Sequence, residues 1–174
     1  MAKNKKLFIY RIVLTAAIAL SLAFIYGNSL KTGEKSAITS SKVTEAVATV
    51  IVPDFKNLPE AAQQQKIKEI HAPLREVAHS LEFCMLAFFV CLFYSSFGGK
   101  IFGKFCFAVL FSLGSCFLIA LSDEFLQTFI PGRGAEWLDI GMDSLGAFTG
   151  SLIAILVVFI YKKITAKKNQ AQLT

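Results

Sequence analysis

Charge is scarce in this chain. Asp, Glu, Lys and Arg make up 17% of its 174 residues, 55% are hydrophobic, and the mean hydropathy is +0.58. That balance excludes an ordinary soluble domain and points to an integral membrane protein. The cysteines are few and unpatterned. Cys84, Cys91, Cys106 and Cys116 all lie inside apolar runs with no metal-ligand spacing between them. This excludes a disulfide framework and a zinc site, and leaves them as buried small hydrophobes. The chain has no H-E-x-x-H, no G-x-S-x-G and no phosphate-binding loop, and neither an internal repeat nor a low-complexity stretch. The formal charge of +6 would suit nucleic acid only if the basic residues shared a face. Instead Lys3, Lys5, Lys6 and Arg11 gather at one end and Lys162, Lys163, Lys167 and Lys168 at the other. Clusters that flank apolar runs are topology signals. No nucleic acid, metal or cofactor is expected.

Four apolar runs predict four membrane-crossing helices, at about 7–27, 76–97, 104–128 and 138–161. The first has a basic start, like a signal peptide. Its length and the poor cleavage site at Tyr26-Gly27-Asn28-Ser29 identify it as a span instead. Arg11, one turn inside it, can snorkel to the interface. Gly98-Gly99 ends the second run, and Lys100 and Lys104 flank a short turn before the third. Pro131 stops the third helix near Thr128.

The one long polar segment, 31–75, holds Val43, Val47, Val50 and Ile51 at helical spacing, then Ile67, Ile70 and Leu74. Pro53 ends the first of these helices and Pro59 opens the next. A small helical cap over the bundle is expected. Four spans put both termini on one side. The basic ends and the Lys100/Lys104 turn then share the cytoplasm, and the polar segment lies outside. The expectation is one all-α domain over residues 1–174, a multi-pass protein of the cell membrane with a helical extracytoplasmic loop.

The polar residues inside this frame are concentrated. Arg75, His79 and Glu82 are four and three residues apart, which places them on one helical face at the outer start of the second span. Asp123, Glu124 and Gln127 fall at the outer end of the third, and Arg133 in the turn after it. Asp139 and Asp143 form another stripe at the outer start of the fourth. A carboxylate in hydrocarbon costs about 2.5–3.5 kcal/mol at a helix centre, and pairing with Arg75, Arg133 or His79 would offset this. The nine residues form either an outward polar pocket, which is the favoured reading, or an internal ion-pair lattice that only joins helices. Gly146 and Gly150 add a small-x-x-x-small face on the fourth span.

The same residues carry a resemblance. Arg75-Glu-Val-Ala-His79-Ser-Leu-Glu82-Phe83, then Asp123-Glu124-Phe-Leu-Gln127 with Pro131-Gly132-Arg133, then Asp139-Ile-Gly-Met-Asp143-Ser-Leu-Gly146-Ala-Phe-Thr-Gly150 resemble three successive segments of the VanZ-like family of small bacterial membrane proteins. Asn28-Ser29 is similar to the polar end of that family's first span. The chain departs in having Phe83 where the family often has Tyr, and in a long first outer loop. The resemblance implies an envelope-related protein. By the family's namesake it also implies low-level resistance to teicoplanin-type glycopeptides. Binding of an outer-leaflet lipid, a cell-wall precursor or a glycopeptide is favoured over catalysis, because no nucleophile–base pair is evident. The alternative is a membrane enzyme acting on a lipid head group or lipid-linked precursor, its carboxylates and His79 serving as acid/base groups or holding a divalent metal.

Overall fold

The computed structural model describes residues 2–97 and 105–171. Five α-helices are seen among them: α1 Ala2–Ser29, α2 Gly33–Ile51, α3 Glu60–Ser95, α4 Phe105–Gln127 and α5 Trp137–Ala171, with a 3-10 turn at Phe55–Asn57. Helices satisfy every internal backbone group without water, which a bilayer demands. α1, α3, α4 and α5 are long and apolar enough to cross one. The chain is therefore an all-helical, multi-pass membrane protein. The expected turn at Gly98, Gly99, Lys100 and Lys104 lies outside the described residues.

α3 departs most from the sequence reading, which ends a cap helix near Leu74 and starts a span near Glu76. The two are one continuous 36-residue helix with Pro73 inside it. At 1.5 Å per residue it is about 54 Å long, against a hydrocarbon core of about 30 Å, so its first turns form an arm beyond the bilayer. An internal proline costs a helix about 3 kcal/mol, because it removes one hydrogen bond and crowds the preceding turn. Packing of α2 against α3 offsets this, with the Ser40 hydroxyl 2.6 Å from Nε2 of His71.

The contact face of α2 is not the face that its valines mark. Thr44 and Ala48 are buried, Val47 is half-buried, and Val43, Val50 and Ile51 are exposed, Val50 at 85%. Small side chains make the docking face, and most of the valine ridge points away from the bundle.

α3 touches every other helix. Its Phe83, Leu86, Ala87, Val90, Cys91 and Leu92 recur at helical spacing and are buried. They meet Ala108, Cys116 and Ala120 of α4, and Ala147 and Ala154 of α5. Small residues let these helices approach closely, which is how association proceeds where lipid removes the hydrophobic drive. The approach is closest at α5. A Cβ on Gly146 would overlap the Ser80 carbonyl, and one on Gly150 the Cys84 carbonyl. Nearby, the Ser112 hydroxyl donates to the Ala87 carbonyl at 3.1 Å, and Ser151 donates to Ser112 at 3.1 Å. Cys91 and Cys116 are buried and Cys84 is half-buried, but Cys106 is exposed at the start of α4, against expectation.

Two aromatic marks set the bilayer's height on α5. Trp137 and Tyr161 are both largely exposed. Their 24-residue separation corresponds to about 36 Å of helix, a little more than the hydrocarbon core of about 30 Å, as aromatics at the two interfaces require. At the end of the bundle carrying the N-terminus, Arg11 donates to Ser96 Oγ at 3.1 Å and to the Ser96 carbonyl at 2.9 Å, with its guanidinium 4.2 Å from the Phe97 ring centre. It does not merely snorkel: it caps the C-terminus of α3.

Candidate functional site

The C-terminal ends of α1 and α4, the N-terminal turns of α5, and α3 from His71 to Glu82 meet at the end of the bundle that carries α2. Helix direction alone brings them there, since α1 and α4 run toward that end and α3 and α5 run away from it. Most of the polar network is anchored on α4. Asp123, Glu124 and Gln127 face inward and are buried, Asp123 being only 1% exposed. Gln127 Nε2 donates to Asp123 Oδ2 at 3.0 Å and to Glu124 Oε1 at 3.1 Å. Arg133 Nη1 donates to the side-chain oxygen of Gln127, Oε1, at 3.3 Å. Ser29 of α1 gives Asp123 Oδ2 a second donor at 2.7 Å. The Glu136 amide donates to Glu124 Oε2 at 2.8 Å. Glu124 is thus satisfied at both oxygens and clasps the connection between α4 and α5, where Gly132 takes a φ of 76°. Burial holds the Arg133 guanidinium below its usual value and Arg75 adds to that, while Asp123, Glu124 and Asp139 pull it back.

Three other acids are less complete. Glu82 accepts from Asn28 Nδ2 at 2.9 Å through Oε1, but its buried Oε2 has no donor. Asp123 Oδ1 and Asp143 Oδ1 are likewise buried without a partner. Asp143 is 2% exposed. Its charge interacts with those of Asp123, Asp139, Glu124 and Glu82. The sequence suggests Arg133 as its partner, but Arg133 turns to Gln127. Arg75 reaches Asp139 at 3.7 Å, with its own side chain 42% exposed. An ion pair that wet is worth about 0–1 kcal/mol. Among the described residues no three His, Cys, Asp or Glu are placed to hold a metal ion.

In front of Glu82 lies a cavity of about 360 Å³ between α1, α2 and α3. Lys31, His71, Arg75, His79, Glu82 and Arg133 supply its charged and titratable lining, with Asn28, Ser40 and Thr44 between them and Phe24, Val43, Leu74 and Ala78 as apolar wall. Of the nine residues read from sequence, Arg75, His79, Glu82 and Arg133 line this cavity. Asp123, Glu124 and Gln127 form the network behind it. Asp143 is buried, Asp139 stands beside Arg75, and both interact with the acids of the network. His79 interacts with Asp123, Asp139, Arg75 and Arg133.

Sequence reasoning missed Lys31, His71 and the Glu136 amide, and gave Asn28 and Ser29 no role in the site. The signal for His71 was present, because it precedes Arg75 by four residues and His79 by eight. It extends the stripe only once α3 is known to be continuous. Asn28 and Ser29 are polar residues closing an apolar run.

The network makes Gln127 a joint whose loss is measurable. Gln127→Leu removes the amide donor to two buried acids and the acceptor for Arg133. A melting experiment on purified protein is expected to show a loss of about 1–3 kcal/mol, the cost of leaving buried groups unsatisfied. An unchanged melting temperature would show that the amide joins nothing.

Comparison with curated proteins and with solved structures gives no match. The VanZ/LLP1 family model matches residues 7–159. The matched region takes in the whole polar network and the cavity in front of it, and the chain belongs to the VanZ/LLP1 family.

Proposed function

We propose that the end of the bundle carrying α2 faces outward and that its cavity binds a component of the cell envelope at the outer leaflet. In this orientation both termini are cytoplasmic, as the basic end clusters favour. The observation that carries the reading is the cavity itself, with three strong cations against one acid among its described lining residues, inside a protein otherwise poor in charge. Its volume lies in the range of small-molecule sites. A lipid head group or the head of a lipid-linked cell-wall precursor fits that space. A whole glycopeptide antibiotic is several times larger, so a teicoplanin-type ligand would engage it only through one substituent. Low-level glycopeptide resistance then follows from binding at the membrane surface rather than from breakdown of the drug.

One observation favours a second reading, catalysis on the same class of head group. His79 and Glu82 both line the cavity, and a base beside an acid is the minimum for proton transfer. The two readings separate in a deletion strain. Altered glycopeptide susceptibility with unchanged lipid and precursor composition supports binding, and accumulation of an unprocessed lipid or precursor supports the enzyme.

Orientation is tested in a background without the four native cysteines. Cysteine at Lys42 or Lys56 is expected to react with an impermeant thiol reagent on intact cells, and cysteine at Lys167 is not. The opposite pattern would put the cavity in the cytoplasm and end the outer-leaflet reading.

A further inference from the structure

We infer that the cavity takes the head group of an amine-bearing phospholipid, its phosphate against the Lys31–Arg75–Arg133 wall and its ammonium on Glu82. This rests on the reading of the cavity as a ligand site and names the ligand's chemistry. Two features of the lining pull in opposite directions, and a single kind of ligand answers both.

The first is cationic. Lys31, Arg75 and Arg133 come from just past the end of α1, from α3 two residues beyond Pro73, and from the connection between α4 and α5, and all line one space. Lys31 Nζ donates to Asn28 Oδ1 at 2.8 Å, which uses one of its three donors. Arg75 pairs with Asp139 at the long distance of 3.7 Å and is itself 42% exposed. Three cations from three elements suit a phosphate, whose charge is spread over several acceptor oxygens.

The second is anionic and deeper. Among the described residues Glu82 is the one acid in the lining, and Asn28 already occupies its Oε1. Its Oε2 is buried with no donor. Behind it, Asp123 and Asp143 each bury an oxygen without a partner. A phosphate alone would leave Glu82 unanswered and face this negative field. An ammonium brings both the missing N–H donor and the compensating charge. Choline brings the charge without the N–H. Phosphoethanolamine is the smallest common head group that carries phosphate and N–H ammonium together.

A lipid, rather than a soluble ester, follows from the apolar wall. Phe24 of α1 and Val43 of α2 line the cavity and are still 54% and 53% exposed. The lining therefore continues onto surface uncovered by protein, where an acyl chain can run along α1 toward Leu20, itself 71% exposed.

The test is a titration of the full chain in detergent micelles, read by native mass spectrometry. The probes are dioleoyl phosphatidylethanolamine, phosphatidylcholine and phosphatidylglycerol. Phosphatidylethanolamine is expected to bind about tenfold more tightly than either of the others, as one charge-assisted hydrogen bond predicts. Glu82→Gln keeps the acceptor for Asn28, and is expected to shrink that preference to about twofold or less. Equal binding of the three lipids, or a preference for phosphatidylglycerol, overturns the ammonium assignment and leaves the cavity a lipid site. Binding of none overturns the cavity reading as well. Soluble phosphoethanolamine is expected to compete only at far higher concentration than the lipid. Competition at equal concentration would identify a soluble ester and overturn the lipid assignment. Because the lipid series is measured on the unaltered chain, a misfolded variant does not decide the outcome.

Discussion

Gly150→Val is expected to remove the folded protein from the membrane. The side chain it adds meets backbone. A single Cβ there overlaps the Cys84 carbonyl, and one turn away Gly146 has the same relation to Ser80. α3 cannot step aside locally, because it touches every other helix. α3 and α5 must separate along their crossing, losing contacts around Ala147 and Ala154, which are buried. Overpacking a core usually costs about 1–3 kcal/mol where side chains can yield. With backbone as the obstacle, the expected cost is above about 3 kcal/mol, among the largest a single substitution produces. Gly114 and Gly141 are internal controls, since nothing lies within 4 Å of a Cβ at either. Alanine at those positions should leave membrane abundance and melting temperature unchanged. Normal abundance and melting for Gly150→Val would mean that the helices do not cross this closely.

Asp143→Asn should separate stability from function. Asp143 is buried, Oδ1 has no partner, and Asp123, Asp139, Glu124 and Glu82 all act on its charge. Removing the charge strands no cation, because Arg75 and Arg133 have other partners. The amide keeps the side chain's size and relieves an uncompensated burial. A gain of about 1–3 kcal/mol is expected, the scale on which an unpaired buried polar group is costly in proteins. The envelope phenotype, read as glycopeptide susceptibility, should nevertheless disappear. That is the pattern of a site retained at the expense of stability. Arg133→Gln should differ, losing part of both abundance and phenotype, since Arg133 joins the network to the cavity. A drop in abundance for Asp143→Asn would make the residue structural, and full phenotype at normal abundance would remove it from the site.

The four spans were legible because run length maps directly onto bilayer thickness. The stripes Arg75–His79–Glu82 and Asp139–Asp143 were legible because 100° per residue fixes which side chains share a face. Partner choice was not legible. Nothing in the order of residues says that Arg133 donates to Gln127, or that Glu124 spends an oxygen on the Glu136 amide. Gly146 and Gly150 announced a close approach but not its partner, α3, which runs parallel to α5 and is separated from it by all of α4. The docking face of α2 was not legible either, because it is made by the small residues Thr44 and Ala48 while most of the valine ridge faces outward.

Pro73 gives α3 two characters. By shape it is one rod, but the proline has no amide hydrogen to donate back to Glu69, so the ladder of hydrogen bonds lacks its Glu69–Pro73 rung, beside the lip of the cavity. The rod is therefore expected to open as two cooperative units. The membrane unit shares its fate with α4 and α5. The arm shares its fate with α2, and can lose and regain its order while the rest stands. Amide exchange should therefore divide at residue 73, with Glu60–Ala72 and α2 exchanging together and early. A head group seated in the cavity would touch both units at once, and its arrival would be recorded as the merging of two exchange rates into one.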